Sequence, residues 1–331
     1  MRRLVSFLLA VFLLIVLCSC ELSYQAPAVG KIRILVYGND YSYTVYNPIK
    51  KEYEHPIRYL DGTYTNYSLS PLSGTVNDAT EVGKAISALA EKTGYENSIV
   101  YRLTEYDRID IESFENTINE IAADSNNNDL TIIFFSCHGA YLDEKGNKVP
   151  LGTKIPYGTD ETANTYLIFR SNSDNYNVLY PVSDVLSRIK IINGTKVIIG
   201  DFCHSGSLVQ PDYFSVTFGE YIGMDAATLF SVYRDEISID PSLYCLSAAR
   251  YYEESNEPSN GGHGYFTAAL LEGLGWDENK QTLTTPKAGK DGKISLFELA
   301  KYVTTHDSEP SGKSQTPMVS GGSNDIVLFS F

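Results

Sequence analysis

Short runs of β-branched and aromatic residues alternate along this chain with stretches whose apolar side chains recur every three or four positions. Ile32 to Tyr37, Ser98 to Leu103, Leu130 to Ser136, Lys196 to Gly200 and Ser242 to Ser247 read as strands. Between them, Val82, Ile86, Leu89 and Ala90 share one helical face, and Gly94 supplies a stop. Asp78 lies near the start of that helix, where capping and the helix dipole favour an acidic residue. Ile111, Phe114, Ile118 and Ile121 mark a second helix, and Val182 to Ile191 a third. Strands and helices alternating at this spacing predict βαβ crossovers, hence an α/β fold with a mainly parallel sheet flanked by helices. Further on, Gly261-Gly262-His263-Gly264 opens a helix carrying Phe266, Ala269, Leu270 and Leu274, and Leu296, Leu299 and Val303 mark another. Ile326 to Phe329 reads as a last edge strand. Tyr41 to Pro71 and Ala140 to Tyr180 have no clear period; they read as excursions, with Leu167-Ile168-Phe169 as one hairpin strand. Ser207 to Ile239 reads as a loop with some helix, and no internal repeat divides the chain.

Two of the strands end in chemistry. Lys196 to Gly200 runs into Asp201-Phe202-Cys203-His204-Ser205-Gly206, and Leu130 to Phe135 runs into Ser136-Cys137-His138-Gly139. Open α/β sheets bind ligands beyond the carboxyl ends of their strands, so both ends face one cleft. A thiol on one and an imidazole on the other make a nucleophile and its base. His204 adjoins Cys203, but neighbouring side chains of an extended segment point opposite ways, so His138 has the better geometry. Gly139 lets its N–H approach a developing oxyanion, with the Cys203 N–H as second donor. Zinc fits poorly, because the Cys and His residues are adjacent rather than at ligand spacings. Cys137 and Cys245 lie in or at the ends of apolar strands and read as core thiols. His263-Gly264 follows no apolar strand and reads as a turn and helix opening.

The N-terminus changes the picture of where the protein sits. Arg2 and Arg3 precede an apolar run from Leu8 to Leu17, too short for a comfortable membrane span and typical of a signal peptide over residues 1–20. Leu17-Cys18-Ser19-Cys20 resembles a bacterial lipobox, which implies lipidation at Cys20, a tether over 21–30 and an exported catalytic region over 31–331 anchored to a bacterial membrane. The chain has 331 residues with 26 basic against 41 acidic, a net charge of −15. That balance argues against nucleic acid and anionic lipid as partners. Three cysteines remain beyond Cys20, an odd number in apolar settings, which is no disulfide framework.

Phe134-Phe135-Ser136-Cys137-His138-Gly139-Ala140 and Asp201-Phe202-Cys203-His204-Ser205-Gly206-Ser207 resemble the histidine and cysteine motifs of the caspase-like cysteine peptidases, in the form found in metacaspases and their bacterial relatives. Leu72-Ser73-Gly74-Thr75-Val76-Asn77-Asp78-Ala79 is similar to a third metacaspase segment, with Thr75 where a cysteine is usual. Leu246 to Arg250 followed by Gly262 to Leu271 is similar to the small-subunit strand and helix, and Asp291 to Leu299 to a late helix of bacterial members. The resemblance spans roughly residues 31 to 330. It implies the three-layer caspase-like fold, His138 as general base and acid, and Cys203 as the nucleophile forming an acyl-thioester. It also implies peptide substrates with Arg or Lys at P1, recognised by acidic groups at positions matching Asp78 and Asp201. Two carboxylates beside a thiol suit a guanidinium or ammonium group.

The resemblance carries other expectations less far. The calcium-binding aspartate that many metacaspases have just after the nucleophile is missing, since Ser207 to Gln210 has no carboxylate and Asp212 is displaced; no cofactor is expected, with activation by calcium as the open alternative. Asp291 to Glu298 mimics half of a calcium loop, but Lys287 and Gly289 cannot supply the other half. Arg234, the only Arg or Lys between Cys203 and Arg250, is the expected P1 residue of any self-cleavage. Two alternatives stay open: a caspase-fold surface module without activity, and a sister peptidase of clostripain, gingipain or separase type with another P1 choice.

Overall fold

The computed structural model describes residues 30–331 apart from 44, 48–51, 55, 66–68, 96–97, 154–162, 172–175, 210–241, 260, 290, 308–314 and 322–324. The expected signal peptide, Cys20, the tether up to residue 29, Asp212 and Arg234 therefore lie outside the described residues. In chain order the elements begin with β1 (Ile32–Gly38), β2 (Val45–Asn47), β3 (Glu52–Glu54), β4 (Ile57–Tyr59), α1 (Thr75–Lys92), β5 (Ser98–Leu103), α2 (Ile111–Asp124) and β6 (Leu130–Ser136). They continue with β7 (Gly139–Asp143), β8 (Ala163–Arg170), β9 (Asn177–Pro181), α3 (Val182–Ile189), β10 (Thr195–Asp201) and β11 (Leu243–Ser247). The last are α4 (Tyr265–Leu274), β12 (Trp276–Asp277), β13 (Thr282–Leu283), β14 (Lys293–Ser295), α5 (Leu296–His306), β15 (Met318–Gly321) and β16 (Val327–Ser330).

The central sheet has the order β15-β11-β10-β6-β1-β5, parallel throughout except for β15. Its inner strands are buried on both faces, which is why β1, β6 and β10 are continuous apolar runs rather than alternating ones. Gly83 of α1 sits against Val36 and Val100, so α1 covers the face of the sheet to which Val36 points. Tyr37 and Phe135 point the other way, and Phe135 meets Phe114 of α2. Helix α4 packs beside α1 and α5 against α4, while α3 lies beside α2. The result is the expected three-layer α/β arrangement, with the mainly parallel sheet between helices on both faces.

Two expectations need correction. Ala140 to Tyr180 is not an irregular excursion with one hairpin strand: β7, β8 and β9 form a second sheet, completed by β4 in the order β4-β9-β8-β7. Aromatic residues and a partner strand some 120 residues upstream hide its periodicity. The C-terminal strand, predicted at Ile326 to Phe329, runs over Val327–Ser330 and pairs with β14 in a two-stranded ribbon. The edge of the central sheet is β15 instead, antiparallel to β11. The late motif is a helix start, as read: Ser295 caps Glu298 N–H and the Glu298 carboxylate returns to the Ser295 N–H, a full capping box.

At the amino ends of the strands lies a buried ion pair. The Arg33 guanidinium is wholly buried; Nη1 donates to Asp129 at 2.6 Å and Nη2 to the Asp124 carboxylate at 2.6 Å. Removing one partner of such a group strands the other charge in a low-dielectric setting. Arg33→Ala is expected to lower unfolding stability in urea by about 3–5 kcal/mol. Asp124→Ala, whose carboxylate is half exposed, should cost clearly less. Equal losses in the two variants would contradict this ordering.

Candidate active site

Strands β6 and β10 pair in parallel with Ser136 opposite Asp201. His138 and Cys203 each lie two residues beyond that pair, so both emerge at the same edge of the sheet. They line a single cavity of about 300 Å³ together with Asp78, Asp201, Glu254 and Ser255. The four residues singled out as base, nucleophile and acidic floor are thus brought together. Glu257 also lines it, and among the described residues no Lys or Arg does.

His138 is held on three sides. Its Nε2 lies 2.7 Å from the Ser70 carbonyl oxygen. A carbonyl only accepts, so Nε2 carries the proton and, in the neutral ring, Nδ1 keeps the lone pair. Tyr41 supports the residue from behind: its hydroxyl accepts from the His138 N–H at 3.0 Å and donates to the Ile168 carbonyl at 2.7 Å, and its ring lies 4.7 Å from the imidazole. The Ile168 N–H in turn donates to the His138 carbonyl. His138 is therefore the pivot at which the chain leaves the central sheet and enters the second one at Gly139.

Gly139 is required by close packing. A Cβ there would sit 1.9 Å from the Cys203 carbonyl oxygen, so any side chain would push the two strand ends apart. The thiol of Cys203 donates to the Ser255 carbonyl at 3.5 Å. Burial, and after it the charge of Glu254, pushes that thiol up to about 12, so at neutral pH it rests as the uncharged thiol. His204 adopts the left-handed conformation (φ 66°), its N–H donates to the Glu253 carbonyl, and its Nδ1 sits 2.8 Å from the Tyr251 carbonyl. Burial drives its pKa down to about 4, leaving a neutral ring locked into the fold and turned away from base duty. Cys137 and Cys245 are buried free thiols, both pushed upward by burial.

The acidic floor has two members. The carboxylate of Asp78 accepts from Ser136 Oγ at 2.8 Å and meets His263 Nδ1 at 2.7 Å. It lies in the first turn of α1, as expected, but makes no capping bond to that helix: the amides of Ser73 and Gly74 donate to the Glu257 carboxylate, while Asp78 Oδ2 accepts from the Gly264 N–H at 3.5 Å. Its carboxylate also lines the cavity. Asp201 accepts from the Ser255 hydroxyl, from Thr267 Oγ1 at 2.6 Å and from the Thr267 N–H at 3.2 Å. Burial, with the nearby charge of Asp78 behind it, pushes Asp201 up to about 7; burial also raises Asp78. The thin margin around Asp201 explains Gly264, where a Cβ would lie 2.5 Å from Asp201 Oδ2.

Sequence reasoning missed Ser70, Tyr41, the 253–257 loop and the role of His263. Ser70 and Ser255 face the dyad through backbone carbonyls, which carry no residue-type signal. Tyr41 had one cue, its place just after the Gly38-Asn39-Asp40 end of β1. Among the described residues, no group of three or more His, Cys, Asp or Glu is placed to hold a metal ion, and no helix is long and apolar enough to cross a membrane.

No protein-family model and no curated protein matches the sequence. Among solved structures, the protein GSU0716 from Geobacter sulfurreducens is similar with a TM-score of 0.48 and 14% identity, over 88% of this chain and 94% of that one. Caspase-1 from Spodoptera frugiperda is similar with a TM-score of 0.45 and 12% identity, over 93% and 92% of the two chains.

Asp201 makes the floor sensitive to pH. Its folded value of about 7 lies above that of an unfolded aspartate, about 3.9, so the folded protein holds a proton that the unfolded chain has released between these values. Stability from this residue is greatest below pH 4 and is lost as pH rises to about 7. The melting temperature of Asp201→Asn relative to the unsubstituted protein is therefore expected to climb from pH 4.5 to 7.5 and level off above. A pH-independent difference would show that Asp201 ionises normally.

Proposed function

We propose that this chain is a cysteine endopeptidase of the caspase-like class, cutting peptide bonds after Arg or Lys. The observation that carries the reading is the single cavity shared by His138, Cys203 and the two floor carboxylates. In this reading, Cys203 Sγ attacks the scissile carbonyl carbon while its proton passes to His138 Nδ1. The Ser70 carbonyl, already accepting from Nε2, stabilises the imidazolium that forms. The Gly139 and Cys203 N–H groups receive the oxyanion. His138 then gives its proton to the leaving amine, the C–N bond breaks and an acyl-thioester remains. Water, deprotonated by the same ring, attacks that ester, and the thiol takes back a proton as the carboxylic product leaves. Because Cys203 rests as a neutral thiol, the proton transfer accompanies substrate binding rather than preceding it.

The P1 side chain enters among carboxylates. Asp78 and Asp201 lie on the cavity floor and Glu254 and Glu257 at its wall, a setting for a guanidinium or ammonium and against an aspartate. The lipobox-like segment extends the proposal to an exported enzyme anchored through Cys20, with its substrates outside the cytoplasm.

The test is hydrolysis of fluorogenic peptides with Arg, Lys or Asp at P1 by the full chain in detergent, beside Cys203→Ala, with calcium and with a chelator. Arg and Lys peptides are expected to be cut and the Asp peptide spared. Cys203→Ala should lose at least 10³-fold in kcat. Cleavage after Asp overturns the pocket assignment, calcium dependence brings a metal into the mechanism, and no cleavage by a folded protein returns the site to a binding module.

A further inference from the structure

Behind the floor carboxylates sits a cation that belongs to the protein. Gly261 and Gly262 both have positive φ, at 80° and 116°, and this glycine turn delivers His263 beneath α1. Its Nδ1 lies 2.7 Å from Asp78 Oδ1 and its Nε2 lies 3.0 Å from Glu278 Oε2. Carboxylates accept only, so a ring between two of them carries a proton on each nitrogen. Burial opposes that charge, but Asp78 and then Glu278 outweigh it and hold the imidazolium above its ordinary range. The groups facing the ring are Asp78 and Asn77 of α1 and Glu278 beyond β12; α4 presents only the backbone of Gly264 to Asp78. His263 is not part of the cavity wall, so whatever it does to a ligand it does through Asp78.

The consequence lies in the charge count. Two buried carboxylates in one cavity cannot both ionise without a cation. His263 neutralises the first negative charge, that of Asp78. Asp201 has no ion pair among the described residues, only hydroxyl and amide donors. Of the wall carboxylates, Glu254 is paired with Lys148 and Glu257 accepts from the Ser73 and Gly74 amides. On the floor, a guanidinium therefore finds a counter-charge only if Asp201 gives up a proton.

We propose that His263 is a positioning residue that makes recognition of a basic P1 side chain depend on pH: by occupying Asp78, it leaves Asp201 as the group that exchanges its proton for the incoming cation. The inference rests on the cavity being the P1 pocket of a peptidase. The floor is then closed to basic side chains in acid and open at neutral and alkaline pH. The Asp201 value of about 7 sets the midpoint. Without the imidazolium, Asp78 and Asp201 share a single proton, retain one negative charge down to lower pH, and take up a cation without releasing anything.

The test compares the full chain with His263→Gln and Glu278→Gln. For an Arg-P1 peptide, KM of the unsubstituted protein is expected to rise about tenfold per pH unit below 7. The His263→Gln profile should stay flat down to pH 6, so that its KM at pH 6 is about fivefold to tenfold lower than that of the unsubstituted protein. Glu278→Gln, which removes one surface partner of the ring, should shift the profile in the same direction by less. Calorimetry with agmatine at pH 7, in two buffers of different ionisation enthalpy, reads the same exchange without hydrolysis. About half a proton should leave per agmatine bound to the unsubstituted protein, and close to none with His263→Gln. Superimposable pH profiles, or a KM raised by one constant factor at every pH, would make His263 a merely structural contact. Absence of agmatine binding to the unsubstituted protein also overturns the inference. Agmatine binding with proton release but no peptide cleavage would instead sustain it while removing the peptidase reading.

Discussion

The parallel pairing of β6 with β10, in the register that sets Ser136 against Asp201, is the constraint on which the site depends. Side chains alternate along a strand, so a slip of one residue would turn Asp201 from the α1–α4 face of the sheet to the α2–α3 face. It would also part Cys203 from His138. The register is fixed by the apolar runs on both strands, whose residues must reach the two helical layers. It is fixed again by contacts just past the ladder: the Cys137 N–H donates to the Asp201 carbonyl, and Gly139 packs against the Cys203 carbonyl. Reactive groups are thus placed by backbone geometry, and the loops only refine them.

What the register gathers is unfavourable by itself. Two aspartates are withdrawn from water at one edge of the sheet, beside a half-buried thiol and imidazole, and the aspartates must find donors inside the protein. The donors to the aspartates come from far along the chain: Ser136 and His263 for Asp78, Ser255 and Thr267 for Asp201. This explains why the 251–257 loop touches so many parts of the fold. Glu257 closes the start of α1, Glu254 pairs with Lys148 beyond β7, Ser255 serves both Asp201 and the Cys203 thiol, and the backbone of Glu253 and Tyr251 holds His204. Such a loop cannot move without loosening the floor carboxylates, the Cys203 thiol and the start of α1 together.

Much of this was legible in the sequence where the signal was local. Strand β6 begins and ends where its apolar run does because burial on both sheet faces writes an uninterrupted pattern; the half-buried edge strand β5 also keeps its expected bounds, and α1 and α2 follow their stripes. The pairing of a His-Gly strand end with a Cys strand end was readable for the same reason. The second sheet was not, since β4 and β9 meet across a long stretch of chain and neither run alternates cleanly. His263 looked like an ordinary helix opening, and Gly264 is indeed the N-cap of α4. Its bond to Asp78 spans 185 residues and depends on a turn that only two left-handed glycines allow. Asp78 does sit in the first turn of α1, as its place in the sequence implies, but its partners Ser136 and His263 come from far along the chain.

The resting thiol and the oriented base belong to one design. A thiolate formed in advance would need a dominant cation beside Cys203, yet the largest charge effect on it is that of Glu254, which opposes ionisation and outweighs Lys148, which favours it. The protein instead supplies an imidazole whose Nε2 proton is committed to the Ser70 carbonyl. In the proposed peptidase reading, at a pH where Asp201 is already ionised, a positively charged P1 group beside it would also lessen the negative field over the sulfur, since an ionised Asp201 is one of the charges that push the thiol up. Substrate binding and nucleophile activation would then be coupled through the same carboxylate: the side chain that fits the floor is also the one that eases the loss of the thiol proton. A neutral or acidic P1 group, even if it entered the cavity, would leave Cys203 as it rests.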